Sequence, residues 1–487
     1  MHWFRLRGGI HPEQRKETGR RAVRTIPLAS RLYVPVQQHV GAPAEPLVAV
    51  GQPVLKGERI AGAQGAVSAP IHAPTSGRVV AIEPHTAPHP SGLPIQTIII
   101  EPDGEEHWTP LPPADDPDRL TPEAIAERVR EAGIVGMGGA AFPAAVKLNL
   151  GQQKPIHTLI INGGECEPYL TCDDRLMQEH TEAVVRGARM MRRALGARRV
   201  LLAVEENKPR ARSLLRRAAR RDPAMEVRAV PTRYPMGSEK QMIHYLTGHE
   251  VPAGRLSADL GVVVHNVATV RAVDEALRHH RPLVSRIVTV AGDAIRQPDN
   301  LEVPVGTPAR HLVEQCGGLR EEPARLVLGG PMMGITIPHL DVPITKGTNG
   351  VLALGFGEVA GTSPGPCIRC GQCVSACPIG LRPLELAART RAQQLAEAVE
   401  HGLKDCIGCG ACAYVCPSSI PLTQYFNYAK GELASQDDAR RKTERTRALA
   451  AAREERLRRQ REEKKAAAAR RKAAQAAKKA AAEESDA

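Results

Sequence analysis

The chain is 487 residues long, 42% hydrophobic and only 3% aromatic, with a formal net charge of +13. That length suits three or four domains with cores of Val, Leu, Ile and Ala, and no run of about 18 apolar residues offers a membrane span. The charge does not by itself mark a nucleic-acid binder: residues 440–487 hold 17 Lys and Arg against 8 Asp and Glu, so +9 of the excess sits in the tail.

In chain order the sequence reads as a multidomain α/β and α+β protein. Residues 1–30 are basic and lack apolar periodicity, which predicts an arm laid over a neighbouring domain. Residues 31–110 are short β-rich runs cut by Gly and Pro, as in Val48–Val54 and Ala73–Val80, and predict a small β module. Its V-G-x-x-V-x-x-G and A-P-x-x-G-x-V order resembles the barrel-sandwich hybrid of biotinyl and lipoyl carrier domains. The carriers' modified lysine is replaced here by a Thr75-Ser76-Gly77 tip, so a structural module without a prosthetic arm is expected. Residues 102–118 form a Pro- and Asp-rich linker, and Thr121-Pro122-Glu123 is a strong helix start.

Residues 119–292 alternate strand and helix, the sign of an α/β sheet with crossover helices. The expected strands are 158–162, 200–204, 226–230, 261–265 and 286–291. The expected helices include 182–195, 209–220, 239–247 and 270–279. Residues 293–355 resemble a soluble-ligand-binding β-grasp, with a helix at 308–316. Residues 356–435 form a cysteine-rich domain with one helix expected over 382–400. Residues 436–487 have helical propensity but no apolar stripe to bury, and predict a solvated helix or disorder.

Eight of the eleven cysteines fall in two matching runs, Cys367-x-x-Cys370-x-x-Cys373-x-x-x-Cys377-Pro378 and Cys406-x-x-Cys409-x-x-Cys412-x-x-x-Cys416-Pro417. This is the spacing of bacterial two-cluster ferredoxins. Three thiolates from one tight turn take three corners of an iron–sulfur cube, and the fourth cysteine crosses to the other cube. One [4Fe–4S] cluster is thus assigned Cys367, Cys370, Cys373 and Cys416, and the other Cys406, Cys409, Cys412 and Cys377. Zinc prefers pairs of ligands converging in fours, and disulfides belong to small secreted domains.

Electrons must reach these clusters from somewhere. Gly133-Ile-Val-Gly136-Met-Gly138-Gly139-Ala-Ala-Phe142-Pro143 is followed by Lys147, a loop whose amides can approach phosphate with a cation close behind. Its spacing is neither the dinucleotide fingerprint nor a Walker loop, and on pattern alone it could also be a plain turn. The segment resembles the glycine-rich loop of the NADH- and FMN-binding subunit of respiratory complex I. Asn162-Gly163-Gly164-Glu165-Cys166-Glu167-Pro168, Tyr234-Pro-Met-Gly237-Ser238-Glu239 and His265-Asn266-Val267 resemble three further motifs of that family, in the same order.

That resemblance implies non-covalent FMN against Gly136, Gly138, Gly139, Lys147, Asn162 and Asn266. It implies NAD(H), as substrate, against Phe142, Glu167 and Glu239, with Tyr234 in the turn that completes the site. Gly164, Ser238 and His265 depart from the family's Asp, Glu and Asn. These losses leave open a second reading, a cluster-only relay or scaffold subunit with a degenerate flavin site.

The opening Gly8-Gly9-Ile10-His11-Pro12, the Glu165–Asp174 stretch and the close of the second cysteine run resemble the C subunits of Rnf/Rsx ion-translocating electron-transport complexes, over residues 1–435. Membership would imply a peripheral subunit on the cytoplasmic face of the bacterial inner membrane, partnered by other subunits including another iron–sulfur subunit. The basic tail then suits an anionic membrane surface. Without interleaved aromatics or a recognisable binding fold, nucleic acid is not the expected partner. Cys166, Cys172 and Cys316 are read as small buried hydrophobes.

Overall fold

The computed structural model describes residues 6–89, 91–113, 116–359 and 363–485, with side chains to 478; the first five residues of the arm and the end of the tail lie outside them. Two compact units are present, Met1–Leu384 with Asp405–Thr423, and Glu385–Lys404 with Gln424–Ala487. Both cysteine runs belong to the first.

The centre of the first unit is a four-stranded parallel sheet in the order Met225–Val230, Arg199–Glu205, Thr158–Gly163, Val262–Asn266. Runs such as Leu159-Ile160-Ile161 and Val262-Val263-Val264 are apolar on consecutive residues because both sheet faces are covered. On one face pack the Pro122–Glu131, Thr181–Leu195 and Val267–His279 helices. On the other face Met242, Ile243 and Tyr245 of the Glu239–Thr247 helix cover Ile160, Leu201 and Val264. The Pro122–Glu131 helix starts as its sequence requires, with Thr121 Oγ1 accepting from Ala124 N at 3.2 Å and proline in the first turn.

The strand expected at 286–291 forms, as Ser285–Ala291, but in a different sheet. It pairs antiparallel with Asp299–Pro304 and parallel with Gly350–Leu354 in a six-stranded mixed sheet packed with the Ala309–Gln315 helix. A hydrophobic period specifies a strand but not its partners, and here the short turn to Asp299 decides. The arm supplies that sheet's edge, Arg24 and Thr25 pairing parallel with Leu301 and Glu302.

The β module is two small sheets, Leu32–Pro35, Pro94–Pro102, Gly77–Thr86 and Pro53–Val54 in one, and Glu45–Pro46, Arg59–Gly62 and Ile71–His72 in the other, around Val34, Ile60, Val79 and Ile98. Thr75 and Ser76 are not an exposed tip: both are buried, and Ser76 Oγ bonds Asp103 Oδ1 at 2.7 Å. Lys346 joins this module to the segment after the Pro122–Glu131 helix, donating its buried ammonium to Pro70 O (2.8 Å) and Gly133 O (2.7 Å). Burial without an acidic partner holds its pKa down to about 7.

In the second unit the single helix expected over 382–400 is two, Pro383–Arg391 and Leu395–Glu400. Gln393 between them takes φ +58, a left-handed conformation that ends the first helix, and an Arg389–Glu397 ion pair spans the break. The tail is one helix, Leu422–Ser485, exposed along residues 435–478 apart from a few positions near its start and stitched only by surface pairs such as Arg440–Asp437.

The Thr181–Leu195 and Val267–His279 helices pack closely at Gly187, where an added Cβ would lie 2.2 Å from Val270 O. Gly187→Ala is therefore expected to lower stability by roughly 1–3 kcal/mol, toward the upper end, because backbone must move. Calorimetric melting of the two proteins under one condition measures it.

Candidate functional site

The parallel sheet reverses its order about the Thr158–Gly163 strand, and in α/β sheets ligands lie off the carboxyl ends of strands at such a point. Asn162 and Asn266 end the two neighbouring strands there, paired in register. Asn162 Oδ1 accepts from Gly164 N (2.9 Å) and its Nδ2 donates to Gly237 O (2.8 Å). Asn266 caps the helix that follows it, accepting from Ala268 N at 2.8 Å, and its Nδ2 donates to Asp173 Oδ2 at 2.6 Å.

The glycine-rich loop lies over the same edge. Gly136 and Phe142 close it with a 2.7 Å main-chain hydrogen bond, and Gly139 at φ +103 occupies a conformation few side chains tolerate. A Cβ on Gly138 would press to 3.3 Å of Asn266 Cβ, so glycine lets the loop backbone reach the strand end. From behind, Thr269 Oγ1 accepts from Met137 N (2.9 Å) and the buried Arg286 guanidinium donates to Met137 O (3.3 Å). Lys147, in the Ala144–Leu148 helix, donates to Glu239 Oε2 at 2.8 Å and to Val264 O at 3.2 Å. Ser257 Oγ holds the other oxygen of Glu239 at 2.5 Å. Together these residues bring glycine amides, a cation and two carboxamides to the carboxyl edge of the sheet, where α/β folds have their ligand crevice, a donor set that suits a phosphate with a polar ring system attached.

The turn ahead of Glu239 reaches away from the crevice. Gly237 N donates to Cys166 Sγ at 3.2 Å, and Tyr234 OH donates to Cys409 O at 2.6 Å. Tyr234, Ile10, Ala376, Cys409 and Ala411 share one buried apolar cluster, against which Cys166 and Met332 pack. Gly9 N donates to Ala376 O at 2.8 Å, and Gln241 Nε2 donates to Pro378 O at 3.1 Å.

Two thiols of the second run, Cys409 and Cys412, are buried. Burial pushes Cys409 up to about 11 and Cys412 up to about 12, and both feel Cys406 and Cys377. Buried thiols that resist ionisation and face one another suit a cationic inorganic centre, which would offset the charge of their thiolates. Cys377 comes from the first run yet lies close enough to bear on both of these thiols. Leu381 N also donates to Cys377 Sγ at 3.3 Å. Cys367 and Cys370 are exposed, while Gly365 N bonds Ser418 O (2.9 Å) and draws the chain entering Cys367 beside the residues after Cys416. Gly371 and Gly410, at φ +77 and +75, start the two short helices in matching positions.

Sequence models of four families match in order: "RnfC Barrel sandwich hybrid domain" over residues 4–105, "Nuo51 FMN-binding domain" over 129–275, "SLBB domain" over 287–336 and "4Fe-4S dicluster domain" over 366–420. The C subunit of the ion-translocating oxidoreductase complex of Rhodobacter capsulatus is 54% identical over 435 residues, 89% of this chain and 84% of that protein. The chain belongs to the RnfC family, the C subunits of ion-translocating oxidoreductase complexes. Members from Yersinia pseudotuberculosis serotype O:3 and Serratia proteamaculans are 45% and 44% identical over 88% and 91% of this chain, which spans 62% and 63% of their lengths. Among solved structures, an NAD+-reducing [NiFe]-hydrogenase in its H2-reduced state is similar at TM-score 0.47 and 20% identity, over 66% of this chain and 63% of its own.

Of the residues expected from sequence, Asn162 and Asn266 sit in register at the strand ends, Gly138 presses on Asn266, Gly136 and Phe142 close the loop that carries Gly139, and Lys147 pairs with Glu239 beside the same edge. Tyr234 stands on the cysteine side of the turn. Glu167 also stands apart, its two oxygens accepting from Met332 N and Met333 N at 2.9 Å each, so that it clasps the Gly329–Gly334 turn. Of the three departures, Gly164 is closely packed: a Cβ would meet Asn162 Oδ1 and Met242 Cε at 3.0 Å, so the family's Asp would need both side chains to shift. His265 is buried with Nε2 unpartnered, and burial followed by the nearby Lys147 keeps its ring neutral. Asp173 was legible only as part of a matching stretch, yet it holds Asn266 from beneath.

Burial raises Glu167 to about 7, its two amide donors opposing the shift, and raises Asp173 to about 6 with help from Glu165. Both carboxyls bind protons more tightly folded than unfolded. Their contribution to stability is fully present below the unfolded values near pH 4 and is lost as pH rises through about 6 and 7. Melting temperature should therefore fall between about pH 5 and about pH 8, and Glu167→Gln should remove part of that fall, on the order of 3 kcal/mol. Calorimetry at the two pH values, wild type against variant, reads the difference.

Proposed function

We propose that the chain passes electrons between NAD(H), non-covalently bound FMN and two [4Fe–4S] clusters, as the peripheral electron-transfer subunit of a membrane ion-translocating oxidoreductase complex. The observation that carries this reading is the turn from Tyr234 to Glu239, which touches the crevice at one end and the Cys409 peptide at the other. FMN, when bound, supplies the exchange between paired and single electrons. The chain's own residues supply position and field.

The amides of Gly138 and Gly139 receive the phosphate while Gly136 keeps the loop closed on Phe142, with Lys147 adding charge that Glu239 moderates. Asn162 and Asn266 orient the ring by their carboxamides. Phe142 and Glu239 flank the space for the nicotinamide nucleotide. Tyr234 holds this domain against the second cysteine run, and Glu167 holds it against the Gly329–Gly334 turn. Cys406, Cys409, Cys412 and Cys377 ligate the inner, buried cluster, and Cys367, Cys370, Cys373 and Cys416 the outer one, whose exposed Cys367 and Cys370 face partners. Partner subunits, one of them with iron–sulfur of its own, would exchange electrons there.

Among the described residues no helix is long and apolar enough to cross a membrane. A seat on the cytoplasmic face of the inner membrane, with the basic Leu422–Ser485 helix against anionic lipid, accounts for the charge of the tail.

Anaerobic reconstitution followed by iron, sulfide and released-flavin analysis tests the reading. Two clusters and one flavin per chain are expected, with the flavin bleached by NADH. Lys147→Ala should weaken flavin retention about tenfold or more, the scale of one lost charged hydrogen bond. Cys377→Ser should remove the inner cluster and spare the outer one. Clusters without any flavin would instead favour the relay reading, and loss of the outer cluster in Cys377→Ser would overturn the ligand crossing.

A further inference from the structure

Behind the glycine-rich loop the first unit holds a cavity of about 280 Å³ that the electron path leaves unused. The arm, the end of the β module, the Val267–His279 helix and the Ser285–Ala291 and Asp299–Pro304 strands meet around it. The helix gives it one face, Ala268, Arg271, Ala272 and Glu275, at the spacing of a single stripe. The rim includes the exposed Thr25, Glu106 and Arg281, and the depth includes the buried Met137, Leu176, Arg286 and Val303. Folded interiors leave few voids larger than a water, so a space of this size between packed parts needs a reason.

The charged residues of the lining are Lys56, Arg271, Arg281 and Arg286 against Glu106, Glu275 and Glu302, and all but Arg286 pair off. Lys56 pairs with Glu106, Arg271 Nη2 lies 3.1 Å from Glu302 Oε1, and Arg281 Nη1 lies 3.6 Å from Glu275 Oε2. Lys56 and Arg281 also stand over the Trp108 ring, each 5.4 Å from its centroid. Arg286 is only 2% exposed. Its Nε donates to Thr348 O at 3.1 Å and its Nη2 to Met137 O at 3.3 Å, which engages two of the five donors a guanidinium carries. Asp173 is within Coulombic reach of Arg286, but it accepts from Asn266 and does not line the cavity. The lining thus carries one positive charge in excess, set deep among aliphatic side chains such as Leu176, Ile287 and Val303.

We propose that this cavity binds a small organic monoanion, a carboxylate with an apolar body. The carboxylate meets Arg286, whose planar guanidinium suits the two oxygens of such a group, and cancels the excess charge. The apolar body lies along Leu176, Ala272, Leu283 and Val303 and gains by leaving water. Inorganic phosphate, largely a dianion at neutral pH, exceeds the one charge on offer and has no body to bury. The site also touches the glycine-rich loop and the strand end. Arg286 holds Met137 O, and Ala268 of the helix face has its amide capped by Asn266 at 2.8 Å. Occupancy is therefore felt beside Gly138 and at Asn266. Resting on the flavin reading above, ligand and flavin change each other's affinity by one common factor.

Equilibrium dialysis of the cluster-loaded, flavin-stripped full chain against radiolabelled hexanoate tests the site. A Kd of about 1 mM or tighter is expected, with hexylammonium and inorganic phosphate bound at least about tenfold more weakly. Arg286→Gln should weaken hexanoate about tenfold or more, the scale of a lost charged hydrogen bond. Ala272→Leu, which fills the space and leaves every charge in place, should weaken it by a similar factor. No hexanoate binding in that range, or hexylammonium bound as tightly as hexanoate, overturns the site. So does an affinity unchanged in Ala272→Leu, whether or not Arg286→Gln folds. With flavin bound, hexanoate affinity should differ by about fivefold or more, and an identical affinity overturns the coupling. A chain that binds hexanoate but takes up no flavin sinks the flavin reading and upholds the site.

Discussion

One turn couples the crevice to the cysteine runs, each of its hydrogen bonds joining a side chain to a main-chain atom. Gly237 gives its carbonyl to Asn162 and its amide to Cys166, while Tyr234 gives its hydroxyl to Cys409 O. Glycine is required at 237, because a Cβ would sit 2.5 Å from Gly164 O. Hydrogen bonds that tie buried side chains to main-chain atoms fix separation better than contacts between flexible side chains, and electron exchange depends steeply on separation. Gly8 does similar work from the arm, where a Cβ would lie 2.3 Å from Cys377 O. Close main-chain packing on both sides thus holds the inner cysteines against the α/β domain.

The same region carries an unusual density of buried charge. Lys208 sits between Glu205 and Glu165, Arg286 grips Met137 O, and Lys346 lies among carbonyls with no acid beside it. Buried ion pairs add little net stability, and breaking one partner is far more damaging than replacing both. Their value here is positional: they pin the glycine-rich loop and the Glu165–Asp174 segment from behind, leaving the crevice side free. The left-handed Gly139 lies on the far side of the loop from that support.

Much of this was legible in the sequence because the signals are local. Apolar runs gave the four parallel strands nearly to the residue, and cysteine spacing marked the cluster segment. What was hidden depends on partners far apart in the chain. The Ser285–Ala291 strand reads like its neighbours, yet its sheet is chosen by pairing with Asp299–Pro304. The break at Gln393 carries no glycine or proline to announce it. Glu167 looks like a ligand for a nucleotide until the Met332 and Met333 amides arrive from another domain. Asp173 and Lys346 carry charges that composition places on the surface and packing puts inside.

A flavin held at Asn162 and Asn266 is proposed to deliver electrons to the clusters through this turn. Rapid mixing of the anaerobic, fully loaded chain with NADH, followed by freeze-quench magnetic resonance of the clusters, tests it most directly. The account predicts reduced clusters in the flavin-loaded protein and none in the same protein stripped of flavin. Clusters reduced equally well without flavin, or left oxidised with flavin bound and bleached, would contradict it.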